Sequence, residues 1–375
     1  MSESKGRVVV AMSGGVDSSV SAALLVEQGY EVLGIMLRLW SETGQASRKD
    51  NRCCTRDQMI DAHKVARRLG IPFEVIDIRE AFKKEIVDLF IDGYSRGLTP
   101  NPCLACNRRI RFTLLLNEAL GRGATHLATG HYAQITTDDE SRFELRMGAD
   151  RAKDQSYVLS LLDQLQLSHA MFPVGHLTKP EVREVASRFG LPVATKGDSQ
   201  DLCFVADGNY RRFLREHSPE TFQSGPIMTV DSNVIGTHTG LADYTIGQRK
   251  GLGVTSAEPL YVMSKSLETN TLIVGAKSDM GGNAFQVERT NWLLGRPPEA
   301  NMVVDVKVRY KSTPAPATVS SIGPETAQVI LRDRLPDITP GQGAVFYVED
   351  MVIGGGIISS LPPSVEQGDH TFAPK

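Results

Sequence analysis

The stretch "RVVVAMSGGVDSSVSAALL", Arg7 to Leu25, decides how this chain is read. An apolar run closes on Ser-Gly-Gly, and a helical pattern follows at once. Two glycines at a strand-to-helix turn let backbone N–H groups approach an anion closely, and the helix start adds its positive end. Ser13, Ser18 and Ser19 supply hydroxyl donors, and Asp17 stands where a carboxylate holds Mg²⁺ between phosphates. The lysine of a Walker A loop is missing, so this is a different phosphate site. The plain alternative is a glycine turn with serine caps. The strand before and the amphipathic helix after argue against it.

Outward from that loop, the first two hundred residues alternate strand and helix signals. "RVVVAM" (Arg7–Met12), "EVLGIML" (Glu31–Leu37), "FEVIDI" (Phe73–Ile78) and "HLATG" (His126–Gly130) are short apolar runs. Helical patterns span Asp17–Gln28, Thr55–Gly70, Glu80–Phe90 and Arg109–Gly121, with capping boxes expected at Thr55/Gln58 and Thr178/Glu181. Strands alternating with helices predict βαβ units and a parallel sheet. From about Asn209 the texture changes to short alternating segments. In "MVVDVKVRY" (Met302–Tyr310), Val304, Val306 and Val308 share one face, and Asp305, Lys307 and Arg309 the other. The reading is therefore an α/β parallel-sheet domain over 1–208, a small mixed module over 209–282, a β-barrel over 283–362 and an unstructured tail over 363–375.

A balance of 41 basic to 44 acidic residues excludes a bulk electrostatic nucleic-acid binder but leaves room for local basic patches. Arg108, Arg109 and Arg111 form one such cluster, and Arg211, Arg212 and Arg215 a second. Five cysteines are too few for a secreted disulfide scaffold. No signal peptide and no membrane-length apolar run are visible, so a cytoplasmic protein without a membrane partner is expected.

The loop resembles the signature of the PP-loop (N-type) ATP pyrophosphatases, which cleave ATP to AMP and pyrophosphate. "TPNPCLACN" (Thr99–Asn107), "ATGHYAQ" (Ala128–Gln134), "AKDQSYVL" (Ala152–Leu159), "GDSQDLCF" (Gly197–Phe204) and "YTIGQRKGLG" (Tyr244–Gly253) narrow the likeness. Together they resemble the tRNA-specific 2-thiouridylases, which replace the 2-oxygen of the wobble uridine with sulfur. The resemblance implies that Ala11, Met12, Ser13, Gly14, Gly15, Val16, Asp17, Ser18, Met36 and Gly130 bind ATP. It implies that Asn101, Pro102, Cys103, His131, Lys153, Asp154 and Gln155 lie near the target base. It also sets Arg309, Tyr310 and Gln342 on the tRNA backbone. ATP and Mg²⁺ would be required, and the partners would be tRNA and a sulfur source: a cysteine desulfurase, a relay protein or free sulfide.

The cysteines divide the chemistry further. The resemblance makes Cys203 the persulfide carrier and Cys106 the second thiol, which attacks the S–S bond to release product. Cys106 is read as standing just before a helix that begins near Asn107, a setting that favours thiolate. Many family members carry aspartate where this chain has Cys103. Cys103, Cys106 and Cys203 thus offer three thiolates, the set for a 4Fe–4S cluster with one open iron. Cys53 and Cys54 are read as structural. Two rivals stand beside this reading: a PP-loop amidotransferase or ligase, which needs an ammonia source, and an RNA-binding module without catalysis.

Overall fold

The computed structural model describes residues 5–40, 42, 56–197, 202–298, 301–336 and 338–360. Thr55, Cys53 and Cys54 lie outside the described residues. The first-domain strands are β1 (Arg7–Ala11), β2 (Glu31–Arg38), β3 (Phe73–Asp77), β4 (His126–Ala128), β5 (Ala133–Thr137), β6 (Phe143–Met147) and β7 (Ala170–Met171). Five of them form a parallel sheet in the order β3-β2-β1-β4-β7. Val8, Val9 and Val10 of β1 are fully buried, as a strand covered on both faces requires. The helix Val16–Glu27 follows β1, and Lys179–Arg188 packs beside it on the core of Val20, Ala23, Val182 and Ala186. At the start of Lys179–Arg188, the Glu181 carboxylate accepts from both the Thr178 backbone N–H and its hydroxyl, at 2.7 Å each.

The second part holds a four-stranded sheet of β8 (Gly225–Thr229), β9 (Val234–His238), β10 (Tyr261–Ser266) and β11 (Thr271–Gly275) behind the helix Tyr210–His217. The third contains β12 (Gly282–Trp292), β13 (Met302–Lys307), β14 (Ala315–Gly323), β15 (Thr326–Leu335), β16 (Gly343–Val348) and β17 (Met351–Ser360). These pair as β12-β15-β14-β13-β16-β17, and β12 pairs with β17 to close a six-stranded barrel. The expected alternation holds in β13, where Val304 and Val306 point into the barrel core.

Two features differ from the sequence reading. The hairpin β5–β6, from the first domain, extends the barrel sheet through antiparallel pairing of β6 with β17. One apolar core accordingly joins Leu104, Phe112 and Tyr157 to Val345, Tyr347 and Val352 of the barrel. The helix expected from Arg109 begins instead at Pro102, with Asn101 as N-cap accepting from the Cys103 N–H at 3.1 Å. Asn followed by Pro at the first helical position is a start signal. Cys106 therefore lies inside this helix, where it opens a π-helical stretch, Cys106–Leu115, that runs on to Gly121.

Candidate active site

The phosphate loop is tightened from within. Ser18 Oγ accepts from the Ser13 N–H at 3.2 Å, and the Ser18 and Ser19 hydroxyls reach the Gly15 carbonyl at 3.3 and 2.8 Å. Gly14 sits at φ +70°, and a Cβ there would meet the Gln58 carbonyl oxygen at 2.3 Å. Gly130 closes the other side, because a Cβ there would lie 2.6 Å from the Ser18 nitrogen. Both positions thus require glycine. Met36 is buried in the core beside Met12 and Val10.

The loop's cations come from far along the chain. Buried Lys179 donates to both Asp17 carboxylate oxygens, at 2.8 and 2.9 Å, and Tyr132 Oη donates to Oδ1 at 2.7 Å. Lys196 Nζ donates to the Gly14 carbonyl at 2.9 Å and pairs with Asp61 at 2.7 Å. Neither lysine was singled out by the sequence, since no local pattern marks a contact of this range. The Asp17 carboxylate has the hard oxygen donors that suit Mg²⁺, and Lys179 occupies it here.

A buried network links this loop to the cysteine helix. Ser21 Oγ donates to the Thr129 carbonyl at 3.3 Å, and the Thr129 hydroxyl contacts His131 Nδ1 at 2.7 Å. Arg111 Nη1 lies 3.3 Å from His131 Nε2 and donates to Asn107 Oδ1 at 2.8 Å. Arginine only donates, so Nε2 accepts and Nδ1 carries the proton toward Thr129. Burial, reinforced by the Arg111 charge, pushes the His131 pKa well below its usual value and keeps the ring neutral. His131 therefore sits beneath the surface, between the two halves of the site.

The three described cysteines do not share one environment. Cys106 and Cys203 pack against the same apolar cluster, which includes Phe82, Phe90, Phe204 and Phe213. Cys103 is exposed and lies electrostatically close to Tyr157 and Tyr310. Burial, with Asp154 and then Cys103 adding to it, pushes the Tyr310 phenol up to about 12. Among the described residues no group of three or more His, Cys, Asp or Glu side chains could hold a metal ion. The three-thiolate set expected from the spacing is not found as a metal-holding group among the described residues.

Other expected contacts are engaged within the protein. Asp154 accepts from the Gly148 and Ser156 N–H groups at 3.1 Å each and from the Ser156 hydroxyl at 2.9 Å. Gln155 exchanges bonds with the Tyr132 backbone, and the Lys153 N–H donates to the Asp150 carbonyl. Arg309 Nη2 donates to the Ile246 carbonyl at 3.1 Å and Thr339 Oγ1 at 2.6 Å, and Gln342 Nε2 to the Thr99 carbonyl at 2.8 Å. Arg212 is spent on Glu42, Asp207 and Glu216. Arg211 and Arg215, with Lys250, line an open cavity of about 610 Å³ over Asp243.

Three family models match in succession: a tRNA methyl transferase HUP domain over 6–207, its PRC-barrel domain over 211–276, and an aminomethyltransferase β-barrel domain over 283–358. The chain is 46% identical over 358 residues to a tRNA-specific 2-thiouridylase MnmA of Heliobacterium modesticaldum, covering 94% of this chain and 92% of that one. It is 44% identical over 361 residues to the protein of that name from Geobacter metallireducens, covering 96% and 98%. A solved 4-thiouridine synthetase–RNA complex is similar at 16% identity and TM-score 0.35, covering 57% of this chain and 51% of that chain.

Proposed function

The chain belongs to the tRNA-specific 2-thiouridylases, and from that membership we propose the course of its reaction on its own side chains. It is an ATP-dependent tRNA-uridine 2-sulfurtransferase. The loop Ala11–Ser18, with Gly130 against it, holds the ATP phosphates, and Lys179 and Lys196 bring positive charge to them. Asp17 would hold Mg²⁺, which when bound would add positive charge beside the phosphates.

The uracil 2-oxygen attacks the α-phosphorus, the α–β anhydride breaks, and pyrophosphate leaves. The terminal sulfur of a Cys203 persulfide then attacks C2, and AMP departs with the former 2-oxygen. Cys106 attacks the Cys203 sulfur, which frees 2-thiouridine and leaves a Cys106–Cys203 disulfide. An external dithiol returns both thiols with two electrons. The sulfur reaches Cys203 from a donor protein, and a reducing compartment such as the cytoplasm suits the thiols. Asn101, Pro102 and Cys103 border the target base, and Lys153 reaches its flanking phosphate. The division into 1–208, 209–282 and 283–362 follows the same assignment.

One observation carries the reading. A glycine phosphate loop and a helix bearing Cys106 are joined through His131, while Cys203 packs against the same cluster as Cys106. Pyrophosphate release measured with and without tRNA tests it, and tRNA-dependent AMP and pyrophosphate are expected. ADP and phosphate, or release indifferent to tRNA, would contradict it.

A further inference from the structure

We propose that the barrel turn 339–343 is a positioning clamp on the cysteine loop, with Gln342 its principal side chain. The proposal rests on the sulfur-transfer reading above. The Thr99 N–H donates to the Pro340 carbonyl at 2.9 Å, and Gln342 Nε2 donates back to the Thr99 carbonyl at 2.8 Å. Thr99 is thus bracketed on both sides of its peptide, two residues before the Asn101 cap of the cysteine helix. Gly341, at φ +93°, approaches so closely that a Cβ would lie 2.8 Å from the Thr99 nitrogen and 3.0 Å from Leu98 Cβ. At Gly343 a Cβ would meet Leu104 Cδ1 at 2.7 Å, and the Gly343 carbonyl accepts from Tyr157 Oη at 3.1 Å.

The turn is itself anchored. Arg309 ties Thr339 to the Ile246 carbonyl in the central-module loop Tyr244–Gly253. The β6–β17 pairing joins the barrel to the first domain beside it. The Gln342 side chain is therefore committed to the Thr99 carbonyl, and what it orients is the start of the helix that carries Cys103 and Cys106. It is a positioning residue: it acts on the thiols through the loop.

The full-length chain carrying Gln342→Met, which keeps the side-chain length and loses the donor, tests this. Four quantities are read: iodoacetamide alkylation of Cys103 and Cys106 by peptide mass spectrometry, tRNA affinity, the single-turnover pyrophosphate burst and 2-thiouridine formed. Loss of one hydrogen bond should change the Cys103 alkylation rate several-fold and lower 2-thiouridine about tenfold. With tRNA saturating, so that a change of affinity at Gln342 does not enter, the pyrophosphate burst should stay within about twofold of wild type. Gly341→Ala should act in the same direction and more strongly; if it prevents folding, Gln342→Met still decides. A tenfold loss of tRNA affinity with unchanged cysteine alkylation would overturn the clamp in favour of an RNA contact, and so would four unchanged readings. Failure of the underlying reaction would show separately, as a wild-type chain without tRNA-dependent pyrophosphate.

Discussion

The phosphate loop and the cysteine loop are built on opposite plans. Seven consecutive residues, Ser13 to Ser19, make most of the phosphate loop and tighten it with their own hydroxyls. The cysteine loop relies on remote parts of the chain: the barrel turn at Pro340 and Gln342, and Tyr157, which donates to the Gly343 carbonyl of that turn. A site that binds ATP by backbone groups is served by a short rigid motif. On the proposed reaction, a site that must bring the Cys106 thiol to the Cys203 sulfur gains from being held between domains.

The largest effects should come from the phosphate half. Gly14→Ala forces a Cβ onto the Gln58 carbonyl at a left-handed φ, and pyrophosphate release should fall at least about a hundredfold. Alkylation of Cys103 should stay near wild type; a parallel change there would erase the contrast between the halves. Asp17→Asn should also abolish most turnover. It removes the countercharge of buried Lys179, so thermal unfolding should report a loss of about 3 kcal/mol or more.

Arg212 and Arg211 sharpen the comparison next. Burial alone would raise the Glu42 carboxyl pKa, but the Arg212 side chain and the Ala206 N–H outweigh it and hold it below the usual range. Arg212→Ala should therefore cost about 3 kcal/mol of stability by leaving buried Glu42 unpaired. Arg211→Ala, at the open cavity, should leave stability within about 0.5 kcal/mol and reduce the salt slope of tRNA binding by about one. Equal stability losses at the two positions would remove the distinction.

Acid provides a smaller effect. His131 has a folded pKa below its unfolded value near 6.5, so the unfolded state binds more protons as pH falls through that value. Stability should decline from pH 7 toward pH 5, with a further loss near and below pH 4.5 as Glu42 is protonated. A His131→Gln chain should show a flatter profile between pH 7 and 5, measured by urea unfolding. The smallest expected change is at Lys265, whose pKa burial lowers to about 8. Lys265→Met should stabilise the central module by about 1 kcal/mol at pH 7.

Legibility in the sequence followed the same division. The phosphate loop, the parallel sheet and the alternation of β13 could be read because their determinants are local: glycine spacing and side-chain period. Lys179 and Lys196 could not, since each meets the loop through a contact more than 150 residues away in sequence. The π-helical register after Cys106 leaves no mark in a pattern read at 3.6 residues per turn. The Asn101-Pro102 start is legible as a local signal, Asn at the cap and Pro at the first helical position, and it lies upstream of the boundary expected near Asn107 to Arg109. Cysteine spacing suggested a three-thiolate site, whereas Cys106 and Cys203 pack on one apolar cluster and no metal-holding group stands among the described residues. Spacing along a chain does not specify which neighbours a side chain meets.

The separation of an ATP half from a sulfur half is tested most directly by Cys203→Ala. The variant is mixed with tRNA, ATP and Mg²⁺ in a single turnover, and pyrophosphate and 2-thiouridine are counted together. The expected result is a pyrophosphate burst approaching one per enzyme, on the order of the wild-type amplitude, with no 2-thiouridine formed. Loss of the pyrophosphate burst in this variant would contradict the separation, and 2-thiouridine formed without Cys203 would contradict its role as sulfur carrier.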